Sequence, residues 1–149
     1  MAQIKALKGT KLLIQLEDPD APGVYAHPLL MNLSRNVSFD ANMVEDELQD
    51  GDDPDAPATV YTFKSSVKFT ADGQGKVDTA SLDFWLTFLE SKDSYNARLV
   101  FNASGANGGQ TVTGKVHCSK FAPTGEPHKN AEAQVSLVSD GPWTRADNA

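Results

Sequence analysis

The sequence predicts a mostly-β (α+β) domain: an antiparallel β-sandwich or open barrel of about six or seven strands with one flanking α-helix. Three observations predict it. Several segments alternate apolar and polar residues with period two, which marks strands with one packed face and one wet face. One stretch, residues 78–89, carries the 3.6-residue period of an amphipathic helix. The segments are punctuated by turns rich in glycine, proline and aspartate. The 149 residues form one domain, 1–149, with extended termini and a long acidic loop at about 46–59.

The elements follow in order. Residues 11–17, KLLIQLE, make a short apolar strand stopped by DPDAPG at 18–23. In residues 32–45, Leu33, Val37, Phe39, Ala41 and Met43 share one face, with Ser34, Ser38, Asp40 and Asn42 on the other. Arg35 interrupts the apolar parity. Residues 60–70 alternate more cleanly, Tyr61, Phe63, Val67 and Phe69 against Thr62, Lys64, Ser66 and Lys68. ADGQGK at 71–76 reads as a turn. Asp78 is then a plausible N-cap for a helix with Leu82, Trp85, Leu86 and Leu89 on its core stripe. Phe84 and Phe88 flank that stripe. Such a wide apolar face has two readings: a well-buried helix, or one whose Phe84 and Phe88 meet a neighbouring subunit. Three strands close the chain. Their inward residues are Tyr95, Ala97, Leu99 and Phe101, then Val112, Val116 and Cys118 with a register shift near Phe121, then Ala133, Val135 and Leu137. Trp143, in SDGPWTR, packs a terminal segment down.

Composition narrows the function. No apolar run reaches the roughly 20 residues of a membrane-spanning helix, and no signal-peptide pattern opens the chain. The single cysteine, Cys118, reads as a buried core thiol. The net charge is -7, and its distribution is uneven. Seven of the 20 acids fall in residues 45–55, which hold no base; the 13 left equal the 13 bases. No basic patch argues for tight nucleic-acid binding. His27, His117 and His128 lack metal-ligand spacing, and no nucleophile elbow, phosphate loop or dinucleotide fingerprint is present. Asp50, Asp52, Asp53 and Asp55 offer calcium-type oxygens, but the spacing lacks the glycine and closing glutamate of an EF-hand. They read as a solvated or partner-docking loop, polar enough to be disordered alone. The expectation is a protein with no catalytic residues, no metal and no cofactor.

The order of elements and several local patterns carry a resemblance. NVSFDANMVEDEL precedes a long polar loop; YTFKSSVKFTADGQG, a single helix and YNARLVFN follow; GKVHCSKFAP and AEAQVSLVSDGPW close the chain. Over roughly residues 10–143 the chain resembles the major tail protein, or tail tube, family of tailed bacteriophages, notably at Val37-Ser38-Phe39-Asp40, Val135-Ser136-Leu137 and Gly141-Pro142. The resemblance implies a β-sandwich with a flanking helix, six copies closing into a ring, and rings stacking into a hollow tube. It implies a virion component, assembled in the host cytoplasm, that meets other tail proteins (tape measure, terminator, baseplate or tip) and passes genome DNA as non-specific cargo, with no membrane partner. The long loop then reaches the neighbouring ring, which makes Glu45, Asp46, Glu47, Asp50, Asp52, Asp53 and Asp55 the docking candidates. Asp40, Asn42, Lys64, Ser66 and Lys68 become lumen candidates. Two alternatives stay open: the tube of a contractile secretion or injection system, which moves effectors, and a monomeric carbohydrate-binding sandwich, which needs an exposed aromatic platform.

Overall fold

The computed structural model describes residues 6–18, 20–26, 33–49 and 51–149. Two residues singled out from the sequence, His27 and Asp50, lie outside them. The elements are β1 (Leu12–Glu17), β2 (Tyr25–Ala26), β3 (Ser34–Leu48), β4 (Thr59–Lys76), α1 (Leu82–Glu90), β5 (Tyr95–Phe101), β6 (Gln110–Thr124) and β7 (Glu132–Asp147). The seven strands form one antiparallel sheet in the order β2-β1-β5-β6-β7-β4-β3. The mostly-β class with a single helix therefore holds. The sheet is open, with β2 and β3 as its edges.

One face of the sheet carries the core. Ile14 and Leu16 from β1, Ala97 and Leu99 from β5, Val112, Val116 and Cys118 from β6, Ala133, Val135 and Leu137 from β7, and Phe69 and Ala71 from β4 are buried. Alternate residues of each of these five strands supply the side chains, as period two requires. α1 covers this face with Trp85 and Phe88. Among the described residues no polar or charged side chain is buried, so apolar burial holds the body together with no interior polar network.

Three sequence expectations shift. Residues 71–76 are not a turn: β4 runs through them to Lys76, paired with β7 throughout and with β3 as far as Gln74. These ladders outweigh the poor strand propensity of Gly73 and Gly75, which lie on the core face opposite Val135 and Ala133. Asp78 caps as expected, but what it caps is a 3-10 turn, Thr79–Ser81, leading into α1; its carboxylate accepts from Ala80 N–H at 3.1 Å. The phase of α1 also differs. Leu86 and Leu89, expected inward, are exposed, while Phe88 is buried. Phe88 stacks on Tyr95 with ring centroids 4.1 Å apart, and Phe84 packs edge-on against Trp85 at 5.3 Å. Aromatic rings bury more surface than leucines and hold preferred geometries, so the aromatic stripe sets the helix rotation.

β7 extends beyond its expected end at Val138 to Asp147. Gly141 takes a left-handed φ of 78°, which lets the strand kink and drop Trp143 onto the core face. Trp143 sits over Gly114 and packs against Phe69 at 5.2 Å and Phe39 at 6.1 Å. The expected packing role of Trp143 is thus met, by a three-ring cluster at the base of β3 and β4. The register shift expected near Phe121 falls between Cys118 and Lys120, with a second between Thr113 and Lys115. Near the end of the chain, Asn148 Nδ2 donates to the carbonyls of Phe101 and Ala103 (2.9 and 2.8 Å), and its Oδ1 accepts from Thr111 Oγ1 at 2.6 Å.

Candidate functional site

β3 and β4 pair over their whole length, but β7 pairs with β4 only from Thr70↔Val138 to Lys76↔Glu132. At the fork Ser139 Oγ accepts from Phe69 N–H at 3.1 Å. Beyond it the two strands part, and β3–β4 continues as a two-stranded arm. An open groove at the fork is lined by Val67, Lys68, Ser139, Gly141, Pro142 and Trp143. On the arm every residue from Phe39 to Gln49 and from Val60 to Lys68 is exposed. Phe39, Met43, Val44, Leu48, Val60, Tyr61, Phe63 and Val67 keep 45–57% of their surface open. An isolated two-stranded hairpin is marginal in water; apart from Phe39, whose ring packs near Phe69 and Trp143, this apolar surface has no cover among the described residues.

The acidic residues divide in two. Glu45, Asp46 and Glu47 belong to β3, opposite Thr62, Tyr61 and Val60. The connecting loop shrinks from the expected 46–59 to 49–58, because the β-branched and aromatic residues at 60–63 draw the acid-rich run into the ladder. Asp52, Asp53 and Asp55 stay in the exposed loop. That loop is turned by Ala56 N–H donating to Asp53 O at 3.1 Å and Gln49 Nε2 donating to Pro54 O. Among the described residues no group of three or more His, Cys, Asp or Glu converges on a metal position.

Of the lumen candidates, Asp40, Asn42, Ser66 and Lys68 share the face of the sheet opposite the core, as Asp40↔Lys68 and Asn42↔Ser66 pairs. Lys64 does not join them. Ser65 is an extra residue in the ladder, since Asn42 pairs with Ser66 and Met43 with Lys64. One extra residue inverts the parity of all that follows, so Lys64 lies on the other side. The sequence held a signal for this: Ser65 occupies a position of apolar parity between Phe63 and Val67.

Several cations of the wet face lie beside acids. Lys76 Nζ meets Glu132 Oε1 at 2.7 Å, and this hydrogen bond holds the Glu132 carboxyl below the usual carboxylate range. Lys68 stands opposite Asp40, Lys115 opposite Asp140, and His117 Nε2 lies 3.0 Å from Asp140 Oδ2. At the β1–β5 side the Arg98 guanidinium lies 3.9 Å over the Tyr25 ring. Burial, then Glu17, push the Tyr25 phenol up, and Arg98 opposes them. His128 lies in the exposed loop before β7. Burial also pushes the Cys118 thiol up. The helix candidates change places: Phe88 is spent on the subunit's own core and Phe84 packs beside it, so the exposed apolar residues of α1 are Leu86 and Leu89.

The fold has counterparts among solved structures. No curated protein sequence matches the chain. The fold matches a subunit from the tail of an empty gene transfer agent particle refined with C6 symmetry, at a TM-score of 0.71 and 17% identity, covering 97% of this chain and 100% of that one. It matches the SPP1 tail tube at a TM-score of 0.65 and 10% identity, over 96% of this chain and 80% of that one. It also matches a chain of the sheath–tube complex of PVC, an extracellular contractile injection system, at a TM-score of 0.59 and 11% identity, over 96% and 93%. The sequence profile of the phage tail tube protein family fits residues 6–145, and the chain belongs to that family.

Proposed function

We propose that this chain is a structural, non-catalytic subunit that closes as six copies into rings, and that the rings stack into a tube conducting genome DNA. The observation that carries this reading is the arm: a hairpin with exposed apolar residues on both sides and no cover at its tip among the described residues. Such surface marks a protein–protein contact. The C6 symmetry of the similar gene transfer agent tail supports six-fold closure. The face bearing Asp40, Asn42, Ser66 and Lys68 lines the lumen. Lys68, Lys76 and Lys115 stand opposite acids, which weakens their hold on passing phosphates. The acidic tip, Glu45 to Asp55, docks on the neighbouring ring, and Leu86 and Leu89 take over the interface role first assigned to Phe84 and Phe88. The subunit is a particle component, assembled in the host cytoplasm and joined at the tube ends by other tail proteins.

Negative-stain microscopy of the purified protein tests this. Rings or tubes with a central hole are expected, and a strictly monomeric protein at high concentration contradicts the reading. Deleting residues 46–57 should leave a folded subunit that no longer polymerises; normal tubes from that deletion refute the docking role. A second reading, the inner tube of a contractile injection system, is supported by the likeness to the PVC sheath–tube complex. Tubes that recruit a sheath protein when the two are co-expressed favour it.

A further inference from the structure

In the sequence, Tyr61, Phe63, Val67 and Phe69 form one apolar stripe. In the ladder that stripe changes sides. Below the bulge, Phe69 lies opposite Phe39 and Val67 opposite Ala41, on the side of the core and Trp143. Above it, Phe63 lies opposite Val44 and Tyr61 opposite Asp46, in the parity shared by Asn42, Val44, Asp46 and Leu48. That is the other side of the ribbon. The bulge is stitched in place: Ser65 Oγ accepts from Asn42 Nδ2 at 2.8 Å and donates to Asn42 O at 3.1 Å. Bulges of this kind re-aim side chains and pin register.

We infer that the Ser65 bulge selects which side of the arm a second copy of this chain receives, and that the receiving contact is made on Val44, Leu48, Tyr61 and Phe63. This rests on the self-assembly reading above and adds a face to it. Three observations favour another copy as occupant. The patch lies on the arm of a tail tube family member, and a matching fold belongs to a C6 assembly. The chain carries a second, separate apolar surface in the fork groove at Val67, Pro142 and Trp143. Two different patches on one chain make the heterologous contact that generates rings and helical arrays. The opposite side of the tip is poorer: it holds Met43 and Val60 among Glu45, Glu47, Lys64 and Thr62.

The test compares the concentrations at which full-length variants form rings or tubes, read by light scattering and negative-stain microscopy. Val44→Ser with Phe63→Ser should raise the assembly threshold at least about tenfold, given the burial worth of a Val and a Phe side chain. Met43→Ser with Val60→Ser should leave it within about twofold, since these two lie outside the proposed apolar contact. Inserting one serine between Asn42 and Met43 gives Ser65 a partner and restores unbroken alternation. It moves Val44, Leu48, Tyr61 and Phe63 to the side of Val67, and should abolish assembly while the circular dichroism of the body is kept. Should that insertion fail to fold, the two serine pairs still decide the matter. The face assignment is overturned if the Met43/Val60 pair is the more damaging, or if the insertion variant folds and assembles like wild type. Wild-type protein that never assembles overturns the self-assembly reading and this one with it.

Discussion

The two halves of the β3–β4 hairpin are built from the same kind of sequence and meet opposite fates. At its base, Val37, Phe39, Phe69 and Ala71 alternate with polar residues and pack against β7, Trp143 and the core. At its tip, Val44, Tyr61 and Phe63 also alternate with polar residues, and they lie open. Local patterning is alike in both; what differs is whether another element of the chain lies within reach. β4 leaves β7 beyond Thr70, and from there no other described strand pairs with the ribbon. An alternating strand therefore states that one of its faces is to be buried, and leaves the identity of the cover to the assembly.

Substitutions can break or sharpen that comparison, and the largest effect belongs to the base. Phe69→Ala empties a fully buried ring site and should destabilise the isolated subunit by about 3–5 kcal/mol. Its thermal midpoint should fall by roughly 10 °C, since about 2–4 °C accompanies each kcal/mol in a domain of this size. A fall of only a degree or two places the base outside the cooperative core. Gly114→Ala comes next. An added Cβ would lie 3.0 Å from the Cβ of Trp143 and 3.5 Å from the Phe69 ring, so overpacking of about 1–3 kcal/mol is expected by chemical denaturation. A neutral result shows that Trp143 gives way freely and that the three-ring cluster is loosely held.

Cys118 offers a reactivity test of the same contrast. Burial raises its thiol pKa, so less thiolate is present at pH 8 than for a free cysteine. Alkylation of the native subunit should be at least about tenfold slower than that of the unfolded chain. Equal rates would mean that the body opens as easily as the arm. Phe63→Ala should produce the smallest change, within about 0.5 kcal/mol for the isolated subunit, although the same ring matters for assembly. A loss like that of Phe69→Ala shows that the arm is folded back and covered in solution, which ends the distinction between the halves.

Much of the body was legible in the sequence because each strand there encodes its own inward residues. Ala133, Val135 and Leu137, or Ala97 and Leu99, are alternate positions that any cover would bury, and they are buried. The helix was legible in place but not in phase. Periodicity places leucines and aromatics on overlapping stripes, and only the position of Tyr95 next to α1 settled which stripe faced inward. Gly73 and Gly75 read as a turn because glycine lacks strand propensity, a local property that pairing with β7, and at Gly73 also with β3, overrode. Only the tip of the arm was read as loop, since acids at 46–47 look like solvent-exposed loop residues until the strand opposite them is known.

The sequence by itself determined the fold class, the inward residues of the strands, the lone buried thiol and the concentration of acid in one segment. These are consequences of side-chain alternation and composition, which act residue by residue. The tertiary structure alone decided the helix phase, the fork where β4 parts from β7, and the side of the arm to which Tyr61 and Phe63 point. Those depend on register between distant strands. A single extra residue at Ser65 inverts every side chain beyond it, although in the sequence it is only one serine in an alternating run.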